Sequence, residues 1–312
     1  MNFSFWWIVT YYFRSAVKWF LRKTTGLCEL QRICYGEIRG PQRTHAIERS
    51  LSLSKHKHIQ QLILQLNDIS GKEEFLGSQK KQVLHDAVRA VLLAKQINPR
   101  IHRQFVINMG QCIEHIWGYK QLISEVERLR TTQYDCDNIE HETQLYNLWR
   151  MLKPDEELEG RITKQWQNIG FQGEDPKTDF RGMGLLGLEN LVFFATFYCS
   201  AAQHVLTHSY HPQHGYCFAI VGINLTSLAW TLLKEGCAKS YVYNNIENEI
   251  SLKMFHHFYC YLFYEFDRFW MECRPKDIME FSNIKSKFEY NIRNYLKDPN
   301  NDFRIGVTVH NI

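Results

Sequence analysis

A short irregular segment between two helical stretches carries the residues best suited to chemistry. It reads WQNIGFQGEDPKTDFRGMGLLG from Trp166 to Gly187. Arg181 lies at a loop-to-helix junction, and its glycine neighbours leave its side chain accessible and let another backbone approach. An accessible arginine can enter another protein's active site and neutralise the charge that develops on a transferred phosphoryl group. The residues alone leave a structural alternative open, in which Arg181 pairs with Asp175 or Asp179 and holds the loop in shape.

Two other patterns resemble ligand sites, and both are weak. In the run of His204, His208, His211 and His214, the first two could share a helix face as zinc ligands do, but no cysteine or carboxylate lies in the immediate cluster. We therefore interpret them as surface and loop histidines and predict no metal. The glycines from 182 to 187 match G-x-G-x-x-G without a preceding strand, which favours close helix packing or a helix start over dinucleotide binding.

Helical periodicity dominates the elements that must position these residues. Segments such as LILQLND and VLHDAVRAVLLAKQ repeat apolar residues at i, i+3 and i+4, and no alternating strand pattern persists. Three long apolar segments follow the irregular stretch. The sequence predicts an all-α fold, preferably one elongated multi-helix unit without a true linker. Its predicted parts are an N-terminal helix over 1–28, a helical region over 29–130, a helical core over 131–297 and a tail over 298–312.

The charge of the chain is concentrated at its N-terminus. The formal net charge is +4, and Arg14, Lys18, Arg22 and Lys23 account for all of it, since no acidic residue precedes Glu29. A neutral body argues against a nucleic-acid binder, which needs a basic face to neutralise phosphates. The nine cysteines are odd in number and include no Cys-x-x-Cys pair, which is typical of reduced thiols in the cytosol.

The first 28 residues have the pattern of an amphipathic helix at a membrane surface. The uncharged stretch ends at Arg14, short of the roughly 20 residues that a spanning helix needs. At helical spacing its polar residues form a narrow stripe, which favours aromatic side chains at headgroup level and basic side chains on anionic lipid. A helix buried against the body and a mitochondrial presequence are the alternatives. The predicted membrane contacts are Trp6, Trp7, Phe13, Arg14, Lys18, Trp19, Arg22 and Lys23.

The irregular segment also resembles a known signature. The pattern W-x-x-x-G-F-Q-G-x-D-P-x-T-D-F-R-G-x-G-x-L-G-L, which begins at Trp166, is similar to that of the ELMO domain. The stretches GYCFAIVGINLTSLAW and FYCYLFYEFDRFW support the match. Together with N-terminal similarities, the resemblance to short ELMO-domain-containing proteins covers nearly the whole chain. The residues in this segment expected to bind a partner or shape the loop are Trp166, Gly170, Phe171, Gln172, Asp175, Pro176, Thr178, Asp179, Phe180, Gly182 and Gly184.

The resemblance implies an all-helical activator of Arf and Arf-like small GTPases in their GTP-bound form. The family's proposed catalytic arginine corresponds to Arg181 in T-D-F-R-G. The chain would need no cofactor, because the partner carries GTP and Mg²⁺, and it would have no self-contained active site. Larger ELMO scaffold proteins carry the domain without this activity, so a non-catalytic effector or scaffold is the alternative. The expected location is the cytosolic face of an intracellular membrane: endoplasmic reticulum, Golgi, lipid droplet or mitochondrion.

Overall fold

A computed structural model describes residues 13, 16–36, 40–70, 77–246 and 249–305, with side chains except at 41, 67–70 and 77–79. Throughout these ranges the backbone forms helices and irregular segments without a strand. The all-α prediction is therefore confirmed.

The contacts within the chain define two compact units, Met1–Gln121 and Leu122–Ile312. The first unit ends within the helix Arg103–Thr131. The sequence placed its boundary at 130/131, close to the end of the same helix. The helices of the first unit are α1 (residues 16–25), α2 (Glu29–Tyr35), α3 (Pro41–Ser52), α4 (Lys57–Ser70), α5 (Gly77–Lys95) and the first part of α6 (Arg103–Thr131).

The first unit packs around a core of its own. Ile47, Ile59, Val91 and Phe105 come from four different helices and are each fully buried. Burial of such side chains stabilises a fold by roughly 1.5–3 kcal/mol each relative to exposure. This unit thus has the apolar core that a compact helical domain requires.

Of the predicted membrane segment over 1–28, the structure describes residue 13 and residues 16–28, which include helix α1. Phe13, Trp19 and Phe20 are more than half exposed, and Trp19 has 65% of its surface accessible. Lys18 forms an ion pair with Glu29. Arg22 and Lys23 are exposed, whereas Trp6, Trp7 and Arg14 lie outside the described residues. The amphipathic helix over 1–28 accordingly stays a prediction.

The second unit holds the segment around Arg181. Its helices are the end of α6, α7 (Ile139–Leu152), α8 (Gly184–Phe197), α9 (Cys199–Ser209), α10 (Phe218–Lys234), α11 (Lys239–Asn244), α12 (Leu252–Cys273) and α13 (Phe281–Tyr295), with short 3-10 helices at Lys164–Ile169, Pro176–Gly182 and Ile278–Glu280. Helices α8, α10 and α12 pack against one another. A Cβ at Gly222 would lie 2.6 Å from the Leu191 side chain and 2.9 Å from that of Phe263, so this glycine permits the close approach of the three helices.

The first apolar segment after the Arg181 region is bent. Helices α8 and α9 meet at 112°, and together they reach the length and hydropathy of a membrane span. Within the described residues, no single helix is long and apolar enough to cross a membrane. Leu186, Leu191 and Val205 of this pair are fully buried in the second unit. Both helices therefore contribute to the protein core.

Candidate functional site

The segment from 163 to 183, called here the Arg181 loop, consists of two short 3-10 helices with capped starts. Thr163 Oγ1 accepts a hydrogen bond from the Gln165 N–H at 3.3 Å, which caps the first. Asp175 Oδ1 accepts one from the Lys177 N–H at 3.0 Å, which caps the second. Such caps satisfy backbone donors that have no partner in the first turn of a helix. The loop is thus a regular structure with defined ends.

An ion pair that the sequence did not predict joins Arg161, which lies just before the loop, to Asp175 at the start of the second 3-10 helix. Arg161 donates from Nη1 to Asp175 Oδ1 at 2.8 Å and from Nη2 to Asp175 Oδ2 at 3.2 Å. These hydrogen bonds are the largest cause of a raised pKa of Arg161. The paired geometry fixes direction as well as distance. Both carboxylate oxygens of Asp175 therefore bind Arg161, and no contact among the described residues joins Asp175 to Arg181.

Asp179 is also occupied by the loop itself. Its Oδ2 accepts a hydrogen bond from the Gln172 N–H at 2.9 Å, which closes the turn between the two 3-10 helices. Burial raises the pKa of Asp179, while the hydrogen bond from Gln172 and the positive charge of Arg181 lower it. The two side chains thus influence each other through charge, but form no ion pair within 4 Å in the described part of the chain.

A chain of edge-to-face aromatic rings anchors the loop from beneath. Ring centroids of Trp149 and Trp166 are 5.6 Å apart, those of Trp166 and Phe171 are 5.8 Å apart, and those of Phe171 and Phe180 are 5.6 Å apart. Trp166 Nε1 donates to the Arg161 carbonyl at 2.8 Å. All four rings are buried. The predicted residues Trp166, Phe171 and Phe180 accordingly shape the loop from inside and do not face solvent.

Two glycines of the predicted set are required by close backbone approaches. Gly170 has φ +84°, and a Cβ there would lie 2.3 Å from the Phe218 nitrogen. Gly184 has φ +53°, and its Cβ would lie 2.4 Å from the carbonyl oxygens of Arg130 and Thr132. Both conformations lie in the left-handed region that glycine adopts without steric cost. Gly184 opens α8, which fits the prediction of a helix start at this glycine-rich sequence.

The end of α6, against which Gly184 lies, is itself held by a cluster of side chains that no local sequence pattern predicts. Arg130 donates to Glu127 at 2.6 and 3.0 Å, and Trp230 Nε1 donates to the same carboxylate at 2.7 Å. The Arg130 guanidinium also lies 4.6 Å from the centroid of the Trp230 ring. The hydrogen bonds from Arg130 are the largest cause of a lowered pKa of Glu127. The backbone that faces Gly184 is thus held in place by charge and by aromatic contact.

Arg181 lies on the outer side of this framework. Its side chain is exposed and makes no hydrogen bond or ion pair with any residue that the structure describes. Its neighbour Gly182 is also exposed, and a Cβ there would meet nothing within 4 Å. Of the other predicted residues, Gln172 and Thr178 are exposed, Asp175 and Asp179 are half-buried, and Pro176 is buried. The loop therefore presents a guanidinium to solvent from a rigid base.

Comparison with known proteins defines the class to which this fold and loop belong. Residues 124–285 match the ELMO/CED-12 family. The chain therefore belongs to the ELMO/CED-12 family.

The chain is also similar, over most of its length, to ELMO domain-containing proteins. It is 46% identical over 290 residues to ELMO domain-containing protein 2 of Homo sapiens, covering 93% of this chain and 94% of that protein. It is 42% identical over 309 residues to ELMO domain-containing protein 1 of Homo sapiens, covering 91% and 88%. It is 36% identical over 279 residues to ELMO domain-containing protein B of Dictyostelium discoideum, covering 88% and 92%. No solved structure matches the chain.

Proposed function

We propose that the protein is a GTPase-activating protein for Arf and Arf-like small GTPases. The observation that carries the proposal is the state of Arg181: its guanidinium is exposed and has no hydrogen-bond or ion-pair partner among the described residues. The structural alternative would need Asp175 or Asp179 to hold it. Asp175 binds Arg161 instead, and Asp179 binds the Gln172 N–H.

The proposed mechanism uses the charge and shape of one side chain. The GTP-bound partner carries the nucleotide, Mg²⁺ and the residue that positions water, so this protein needs neither a cofactor nor an active site of its own. Arg181 reaches the transferred phosphoryl group and stabilises the negative charge of the transition state. A planar guanidinium can contact two phosphate oxygens at once, which an ammonium cannot. Because the loop is already ordered, docking loses little conformational entropy in the groups around Arg181.

The proposed setting is the cytosolic face of an intracellular membrane. The exposed aromatic residues Phe13, Trp19 and Phe20 lie close in sequence to the exposed basic residues Arg22 and Lys23. This combination supports binding to a lipid surface by apolar burial together with attraction to anionic headgroups. The balanced charge of the remaining chain supports no nucleic-acid partner.

The test is single-turnover GTP hydrolysis by a panel of purified Arf and Arf-like GTPases. An arginine supplied in trans accelerates hydrolysis roughly 10³–10⁵-fold, or by about 4–7 kcal/mol of transition-state stabilisation. Wild-type protein should produce an acceleration of this order with at least one GTPase. Arg181→Lys should lose most of it, since the positive charge remains but the planar fork does not. Arg150→Lys is the matched control, because Arg150 is an exposed arginine on α7 of the same unit.

Binding measured in parallel separates activation from simple recognition. Calorimetric titration with each GTPase loaded with a non-hydrolysable GTP analogue should give similar affinities for wild type and Arg181→Lys. If Arg181→Lys accelerates hydrolysis as well as wild type, Arg181 does not act as an inserted arginine. If wild type binds tightly and no GTPase of the panel hydrolyses faster, the protein is an effector or scaffold.

A further inference from the structure

Two histidines on the exposed side of α9 lie side by side, one helical turn apart. The ring centroids of His204 and His208 are 4.1 Å apart. Residues four apart on a helix share one face, which is how paired histidine ligands are commonly presented to a metal. Neither ring nitrogen of His204 has a hydrogen-bond partner within the described ranges, and its side chain is exposed. His204 is therefore open to solvent, and the His208 side chain beside it is 31% exposed.

A buried carboxylate lies behind this pair. Asp267 of α12 is 0% exposed, and its Oδ2 lies 2.7 Å from Nδ1 of His208. Its other oxygen, Oδ1, accepts a hydrogen bond from the Tyr216 hydroxyl at 2.6 Å. With both oxygens of Asp267 acting as acceptors, the hydrogen-bond network assigns the proton to Nδ1 of neutral His208. The unprotonated nitrogen, Nε2, is then free to coordinate.

This arrangement matches the way in which metal-binding histidines are supported. Such a histidine usually donates its second ring N–H to a carboxylate, which fixes the tautomer and the ring orientation. One donor atom from each of His204, His208 and Asp267 lies within 4.8 Å of the other two, so the three side chains form a single cluster. Imidazole nitrogens select zinc, copper or nickel, whereas calcium and magnesium select oxygen ligands. The imidazole ligands and the supporting carboxylate are therefore both typical of a site for zinc, copper or nickel.

We propose that His204 and His208 bind a divalent transition metal of the zinc class through their imidazole nitrogens, with Asp267 holding His208 in the required tautomer and orientation. Solvent completes the coordination, as expected for two ligands on one exposed helix face. The sequence places His204 and His208 on one helix face but predicts no metal there, because the supporting carboxylate of Asp267 lies 59 residues from His208 along the chain. The proposal is independent of Arg181 and of GTP hydrolysis.

The experiment measures Zn²⁺ binding to the full chain by competition with a chromophoric chelator. The nine cysteines can bind zinc as well, so the comparison is between wild type and His204→Ala, which keeps every cysteine and the contacts of Asp267. His85→Ala is the control, because His85 is a 70% exposed histidine on another helix. Wild type and His85→Ala should bind one Zn²⁺ more than His204→Ala. Equal stoichiometry and affinity in all three proteins would overturn the site.

Two further measurements test the role of Asp267. Removing a carboxylate that supports a metal-binding histidine typically costs 10–100-fold in metal affinity, and Asp267→Asn should show a loss of this order. Unchanged affinity in a folded Asp267→Asn chain would remove Asp267 from the proposal. A long-range ¹H–¹⁵N spectrum of wild type needs no variant of this buried residue. Zn²⁺ should shift the Nε2 resonance of His208 and leave Nδ1 protonated, whereas a metal-bound Nδ1 would contradict the assigned geometry.

Discussion

Replacing Gly184 by alanine is expected to impair GTPase activation without touching Arg181. A Cβ on Gly184 would lie 2.4 Å from the carbonyl oxygens of Arg130 and Thr132, whereas 3.4 Å is an ordinary contact. The start of α8 must therefore move by about 1 Å, because the two carbonyls are backbone atoms at the end of α6, which is held by its cluster around Glu127. The left-handed backbone at φ +53° adds roughly 1–3 kcal/mol of strain for a residue with a side chain. A displacement of this size near a reacting group can cost on the order of 10² in rate.

The measurement is the same single-turnover hydrolysis, with Gly182→Ala as the matched control. Gly182 adjoins Arg181, but a Cβ there meets nothing within 4 Å. Gly184→Ala should lower the activated rate on the order of 100-fold and lower the free energy of unfolding by about 1–3 kcal/mol. Gly182→Ala should stay near wild type in both. If Gly184→Ala activates as well as wild type, or if Gly182→Ala is equally defective, rigid placement of Arg181 by the α8 start is wrong.

Two further predictions concern pH and the membrane. Burial raises the pKa of Glu189 to about 7 from 4.5, a shift that the Arg128 charge opposes and that of Glu125 reinforces. Because the unfolded chain loses this proton at a lower pH than the folded chain does, the free energy of unfolding falls as pH rises from about 4.5 to 7. In denaturant unfolding, the free energy of unfolding of Glu189→Gln relative to wild type should therefore rise by about 2–3 kcal/mol from pH 5 to pH 8. A difference that stays constant with pH would contradict this. In flotation assays, deletion of residues 1–23 should abolish binding to vesicles with anionic lipid, and Arg22→Glu should weaken it. Full binding by the deletion variant would refute the membrane role of this segment.

The helices were largely predictable, and the exceptions have a physical reason. Apolar spacing over α4 and α5 reflects burial on one side, which is typical of an amphipathic helix that packs on a core. The bend of 112° between α8 and α9 has no such sign, because neither proline nor glycine lies at Tyr198. It is accompanied by a tertiary contact, a hydrogen bond of 2.7 Å between the Tyr198 hydroxyl and His257 of α12. A contact across 59 residues leaves no local pattern to read.

The same distinction applies to the site residues. The roles of Asp175 as a helix cap and of Gly184 as a helix start follow from residue type and from near neighbours, so they could be predicted. The partners Arg161 for Asp175 and Asp267 for His208 could not, since they depend on how separate elements pack. Both partners nevertheless determine the chemistry of the site. Arg161 occupies the oxygens of Asp175, and Asp267 occupies Nδ1 of His208 and leaves its Nε2 without that contact.

The freedom of Arg181 follows from the geometry of the short helix that carries it. Asp175 caps the start of the 3-10 helix Pro176–Gly182, and Arg181 lies near its end. At about 2.0 Å per residue, six residues separate them by about 12 Å along the axis, which puts Arg181 out of range of the capping carboxylate. Asp179 is two residues away, and with three residues per turn it projects about 120° from Arg181, toward the Gln172 N–H that it binds. Asp175 and Asp179 are thus close to Arg181 in sequence, but neither forms an ion pair with it. Asp175 binds Arg161 and Asp179 binds the Gln172 N–H, so the guanidinium of Arg181 stays exposed.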